Sequence, residues 1–173
     1  MTGVDLMEPA IAAANRMAEV AGLASLVDFR VANATELPFD SGSFMVVWNQ
    51  GSLDANEDWL REFDRVLAPG ARFAFTFQTK GKDDDRWTLD DLSSLLERLD
   101  YVVTHAEDIT QRDVVIGWEA LDRKLSEQQA EFRSALGDQW VEQAHEEFRA
   151  EAEAMRNGDF GNARIVATKP GSR

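Results

Sequence analysis

The chain has 173 residues with 44% apolar content, enough for one soluble domain with a substantial core. Its 18 basic against 32 acidic side chains leave a formal charge of −14, which repels phosphate backbones and anionic membranes and suits a neutral or cationic small molecule. It has no cysteine, which excludes disulfides, thiol nucleophiles and thiolate metal sites, and leaves the redox compartment undetermined. Asp5 and Glu8 interrupt the amino terminus and no apolar run approaches membrane-spanning length, so neither a signal peptide nor a membrane span is expected, and the expected location is cytoplasmic.

Thr2 to Leu6 reads as the end of a buried strand with Asp5 at its carboxyl end. Met7-Glu8-Pro9 opens a helix, because proline suits the first turn and Glu8 the positive end of the dipole. Ile11, Ala14, Met17, Ala18 and Ala21 recur at helical spacing up to Gly22. Val27 to Val31 alternates like a strand, and Phe44 to Trp48 is a continuous apolar run of the kind covered on both faces.

Glu57 to Leu67 is an amphipathic helix carrying Trp59, Leu60, Phe63, Val66 and Leu67, which Pro69-Gly70 is expected to end sharply. Arg72 to Gln78 is a strand with Phe73, Phe75 and Phe77 on one face. Lys80 to Arg86 is a charged loop, and Thr88 with Asp91 forms a capping box for a helix over 89–98. Tyr101 to His105 is a further strand. Two long helices, Asp113 to about Leu136 and Gln139 to about Arg156, flank Gly137, and Ala163 to Thr168 is the last strand. Alternating strands and helices argue for one α/β domain with a mostly parallel sheet and helices on both faces.

Asp5 is the first candidate for chemistry, since a carboxylate between a strand and a helix can accept both hydroxyls of a ribose. The alternative is an ordinary helix-proximal acid. Asn33-Ala34-Thr35 is either a second strand-end binding element or a simple turn. Trp48, Trp87 and Trp118 could offer aromatic faces to a methylated ammonium, although core packing is favoured for them. Asp83-Asp84-Asp85 reads as a solvated loop rather than a metal site, because consecutive carboxylates point apart. His105 and His145 read as packed or exposed side chains, so no general base is assigned.

Four stretches in this order, Thr2-Gly3-Val4-Asp5-Leu6, Leu37-Pro38-Phe39, Phe44 to Trp48 and Arg65-Val66-Leu67-Ala68-Pro69-Gly70, give a chain that resembles the class I S-adenosylmethionine-dependent methyltransferases of type 11. The later Gly117-Trp118, Gly158-Asp159-Phe160-Gly161 and Arg164 to Pro170 are similar to the branch that includes the glycine, sarcosine and dimethylglycine N-methyltransferases. The resemblance covers nearly all of the chain and implies a Rossmann-like methyltransferase sheet in a single domain over 1–173, with a cofactor-side half over 1–80 and a carboxyl-terminal half over 81–173. It implies S-adenosylmethionine as cofactor and methyl transfer to a small-molecule acceptor, an amine in that branch. Asp5 would bind the ribose, Leu6 and Met7 would flank the adenine, and Asn33, Ala34 and Thr35 would read the adenine edge. Asn49 would face the cofactor, while Gln50, in Trp48-Asn49-Gln50-Gly51-Ser52, and Trp118 would face the substrate. Methyl transfer to an amine depends on positioning and does not require a dedicated base.

The chain departs from the family at three places. Asn33 stands where an acid is common, and Met45 where aspartate usually follows phenylalanine. The family's first strand and Gly-rich loop would precede Thr2, so the resemblance implies an amino-terminal truncation. It leaves three expectations: the flanking strands close up, self-association fills the sheet gap, or a longer reading frame begins upstream of Met1. A methyltransferase-like fragment or pseudoenzyme that acts as an interaction module is therefore the alternative function. A nicotinamide-dependent oxidoreductase ranks lower, because the single tyrosine, Tyr101, has His105 rather than lysine four residues on.

Overall fold

The computed structural model describes residues 1–51, 57–81 and 86–171. Ser52 and the Asp83-Asp84-Asp85 run lie outside the described residues. The chain divides into two compact units, the first containing residues 1–47, 57–72 and 169–171 and the second containing 48–51, 73–81 and 86–168.

In the first unit, β1 (Thr2–Asp5) pairs in parallel with β2 (Asp28–Val31), with Asp5 opposite Val31. The connection is α1 (Glu8–Val20), which carries Pro9 in its first turn as expected. Of the apolar stripe read on α1, Ala18 is buried, whereas Met17 and Ala21 are exposed. The first unit also holds α2 (Glu57–Val66), whose Trp59, Leu60, Phe63 and Val66 are buried at helical spacing. Lys169 Nζ donates to the Asp64 carbonyl at 2.5 Å and to the Leu67 carbonyl at 3.1 Å, satisfying acceptors that a helix end leaves unpaired.

β3 (Phe44–Gln50) and β4 (Leu67–Thr79) belong to a four-stranded sheet of order β3-β4-β6-β5, with β5 (Val102–Asp108) and β6 (Gly161–Thr168) antiparallel. The α/β class expected from the sequence holds, with parallel and antiparallel pairings both present. Pro69-Gly70 does not end the helix with a separate turn: β4 begins at Leu67 and runs through both residues. Gly70 takes φ 76° and its N–H donates to the Pro170 carbonyl at 3.3 Å, so pairing with the tail holds this stretch extended.

Burial of β3 on both faces is not observed. Met45, Val46 and Trp48 are exposed by 64%, 56% and 70%, and Asn49 is the buried residue of the strand. β3 ends its strand order, so its apolar character exceeds what the described residues cover. Trp48 is thus outside the core, against the packing expected for it, whereas Trp87 and Trp118 are half-buried.

Phe73, Phe75 and Phe77 share one face of β4, all at most 2% exposed, with neighbouring ring centroids 5.8 and 5.1 Å apart. α3 (Leu89–Arg98) starts with the expected capping box, in which Thr88 and Asp91 each bond the other's backbone N–H. The first of the two expected long helices, Asp113 to about Leu136, is preceded by α4 (Thr110–Arg112) and segmented into a π-helical stretch (Asp113–Trp118), α5 (Glu119–Glu127) and α6 (Gln129–Leu136). The second is the continuous α7 (Asp138–Asn157), closed by Gly158 at φ 74°. A π stretch is an i→i+5 bonded insertion within a helix, and no residue signature in Asp113–Trp118 marks it in the sequence.

Phe75→Ala is expected to cost about 3–5 kcal/mol, and Thr88→Ala about 1 kcal/mol, in urea unfolding monitored by circular dichroism. Equal effects at the two positions would contradict the packing of β4.

Candidate functional site

Parallel pairing brings the carboxyl ends of β1 and β2 to one end of the first unit. Asp5 closes β1, and its backbone carbonyl accepts from the Ala32 N–H at 2.9 Å, one residue before Asn33. The exposed Asp5 carboxylate accepts from the Met7 N–H at 2.7 Å, which orients it at the start of α1, and the carboxylate keeps acceptor capacity for hydroxyls. Leu6 and Met7 beside it are 69% and 62% exposed, an apolar surface at the same strand end.

Asn33 and Thr35 are exposed and Ala34 is half-buried. Asn33 Oδ1 accepts from the Thr35 N–H at 3.0 Å, an Asx turn that leaves the amide oxygen a second lone pair. The Asn33 backbone carbonyl accepts from the Glu36 N–H at 3.0 Å. Asp5 and Asn33-Ala34-Thr35, singled out separately from the sequence, therefore stand on adjacent strand ends.

The next loop is held by two side chains that received no role from the sequence. Glu62 Oε1 accepts from the Leu37 N–H at 2.6 Å, while Arg65 donates to the carbonyls of Leu37 at 3.0 Å and Phe39 at 2.7 Å. Arg65 also grips both oxygens of Glu62, at 2.6 and 2.8 Å. The bond from Arg65 outweighs desolvation and, with the Leu37 N–H, lowers the Glu62 pKa from its ordinary value. The sequence signal was present: acid and arginine three apart on a helix, with a Leu-Pro-Phe loop upstream whose carbonyls need donors.

In the second unit, Asn49 is buried and Gln50 exposed at the end of β3. Trp118, also in this unit, packs on Val114, Ala152 and Met155, with its ring tilted by 34° against that of Phe148 at a centroid distance of 6.1 Å. It borders a cavity of about 530 Å³ between α5 and α7, whose walls include Asp122, Arg123, Arg149 and Glu153 but neither Asn49 nor Gln50. Asp122 joins the two helices, because its oxygens accept from His145 Nδ1 at 2.5 Å and Arg149 Nε at 3.1 Å. Desolvation raises the Asp122 pKa, but the bonds from His145 and Arg149 outweigh it and the net shift is downward. His145 is thus a half-buried partner of a carboxylate, while His105 is more exposed and bonds Glu107 at 3.1 Å.

Residues 1–75 match the family model described as a methyltransferase domain. A 77-residue stretch is 40% identical to 27-O-demethylrifamycin SV methyltransferase of Amycolatopsis mediterranei, covering 43% of this chain and 28% of that protein. The chain thus spans less than a third of that curated relative's length. Over 98% of this chain and 43% of the other, the fold superposes on a Haemonchus contortus phosphoethanolamine N-methyltransferase solved with S-adenosylhomocysteine, at TM-score 0.85 and 16% identity. It also superposes on the [4+2]-cyclase SpnF, at TM-score 0.72 and 24% identity, over 99% of this chain and 66% of the cyclase. At these identities the two structures show a shared Rossmann-like fold.

A folded-state pKa below the unfolded value makes the Asp122 contribution complete above pH 3.8, its ordinary value, and lost as pH falls through the depressed one. Asp122→Asn is expected to lower the melting temperature at neutral pH and to converge with the wild type in acid. A constant difference across that range would show that Asp122 acts by packing alone.

Proposed function

We propose that this chain, whose residues 1–75 match the family model described as a methyltransferase domain, binds S-adenosylmethionine and serves methyl transfer to a small-molecule acceptor. The observation that carries the reading is the juxtaposition of the Asp5 carboxylate with the Asn33 turn on two parallel strand ends. These residues fit the adenosine half of that cofactor. Asp5 would accept the ribose hydroxyls, Leu6 and Met7 would cover the base, and the second lone pair of Asn33 Oδ1 would accept from its amino group. The Ala34 and Thr35 backbone would border the ring. When bound, the cofactor supplies an electrophilic methyl on a sulfonium.

Asn49 is proposed to face the cofactor, and Gln50 and Trp118 the acceptor. An amine is the acceptor class supported by the Trp48-Asn49-Gln50 pattern, by the net charge of −14 and by the phosphoethanolamine N-methyltransferase among the fold's relatives. No described helix is long and apolar enough to cross a membrane, and a cytoplasmic protein without nucleic-acid or membrane partners remains the proposed setting.

A second reading, an interaction module without turnover, draws support from the exposed Val46 and Trp48, alternate residues on one face of β3 and suited to self-association. The [4+2]-cyclase relative is an instance of this fold named for other chemistry.

Calorimetric titration of S-adenosylhomocysteine into the chain is expected to show binding that Asp5→Ala weakens at least about tenfold, the worth of one lost charge-assisted pair of hydrogen bonds. A folded chain that shows no binding would overturn the cofactor reading and favour the interaction module.

A further inference from the structure

Four N–H groups in the loop after Asn33 have identified partners. The Thr35 N–H goes to Asn33 Oδ1, the Glu36 N–H to the Asn33 carbonyl, the Leu37 N–H to Glu62 and the Phe39 N–H to the Leu37 carbonyl. Pro38 has no N–H to place. The first of these bonds makes an Asx turn and the second closes a backbone turn over the same residues, and the Leu37 bond anchors the turn to a helix. Asn33 and Glu36 form an antiparallel bridge, so Leu37 is the residue directly after the turn's closing pair. Glu62 and Arg65 take both the N–H and the carbonyl of Leu37, and Arg65 takes the Phe39 carbonyl as well. Leu37 itself is buried, at 8% exposure. The Gly42 N–H returns to the Arg65 carbonyl at 2.9 Å, tying the far end of the loop to the same residue.

We propose that Glu62 and Arg65 are positioning residues for base recognition, which clamp Leu37 from α2 and thereby set the angle at which the Asn33-Thr35 turn meets a six-amino purine. The assignment rests on the cofactor reading above. Neither side chain touches the ligand in this account; each acts through Leu37. The Thr35 N–H pins the Asn33 amide with its oxygen toward the turn, so the second lone pair of that oxygen has one direction in which to accept a hydrogen bond. A base with an amino group at carbon six donates to it. A base with a carbonyl there brings acceptor against acceptor, and an amide held by Thr35 cannot rotate to relieve this without losing its own bond. Selectivity between the two bases therefore depends on the turn being held, and the clamp holds it.

A lysine at position 65 keeps the charge but lacks the planar fork that reaches two carbonyls and a carboxylate together. Glu62→Gln keeps the shape and weakens the bonds to both Arg65 and Leu37. The probes are S-adenosylhomocysteine and S-inosylhomocysteine, titrated into the wild type, Arg65→Lys and Glu62→Gln, with amide hydrogen exchange measured on each protein without ligand. The wild type is expected to prefer the adenosyl compound at least about tenfold, the worth of one hydrogen bond exchanged for an unpaired acceptor. Both variants are expected to bring that ratio toward one while the affinity for the inosyl compound stays near the wild-type value. Exchange at Thr35, Glu36 and Leu37 should quicken in the variants while the buried face of α2 stays protected.

A ratio unchanged in the variants, or an equal loss for both compounds, would overturn the positioning role. If the wild type binds neither compound, the cofactor reading fails, and with it the base-recognition role. Exchange then still decides the mechanical link, since unchanged rates at those three amides would show that the clamp does not hold the turn.

Discussion

In the first unit the decisive constraint is the placement of backbone polar groups around Leu37-Pro38-Phe39. A loop that buries a leucine must also satisfy the amide groups beside it, because an unmade bond there costs roughly 1–3 kcal/mol. Glu62 and Arg65 meet that requirement from one turn of α2, using a carboxylate that accepts and a guanidinium that donates in three directions. The same turn buries Phe63 and Val66 on its other side, so the helix is held by its apolar face while its polar face shapes the loop. An exposed pair of this kind would contribute little. The pair is informative here because its remaining valences are spent on backbone groups.

The second unit is organised differently. Its sheet rests on a ladder of three phenylalanines in β4 and on the fully buried Ala163, Ile165 and Ala167 of β6, an alternation that places every second residue inward. The helices after β5 pack through two smaller apolar clusters, one around Val114, Ala152 and Met155 and the other around Leu125, Val141 and Ala144. Between α5 and α7 the contact becomes ionic, with Asp122 facing His145 and Arg149, and Glu119 paired with Arg156. Helices so rich in Glu and Arg would be marginal alone, and these clusters and cross-helix pairs supply the tertiary support.

Relatives of one fold can run different chemistry, so the fold settles less than the strand ends do. The match to the methyltransferase domain covers residues 1–75, the stretch that contains Asp5, Asn33 and the Leu37 loop. Trp118 and the cavity beside it fall outside that stretch, in helices whose counterparts are identified by shape at low identity. Support for a cofactor is therefore concentrated in the first part of the chain.

Period and local chemistry made much of this protein legible in its sequence. The three Phe residues of β4, the Thr88-Asp91 capping box, the apolar stripe of α2 and Asp5 at a strand end were all readable, because each depends on neighbours within a turn or two. The exposure of Trp48, the continuation of β4 through Pro69-Gly70, the π-helical stretch and the Asp122–His145 contact were decided by tertiary structure. Each depends on a partner, or on the absence of one among the described residues, that local pattern does not encode: a tail that pairs with Gly70, a helix 23 residues away that supplies His145. The clamp on Leu37 lies between these cases. Its residues belong to a recognisable motif, but their purpose follows only when a loop 25 residues upstream is folded against them.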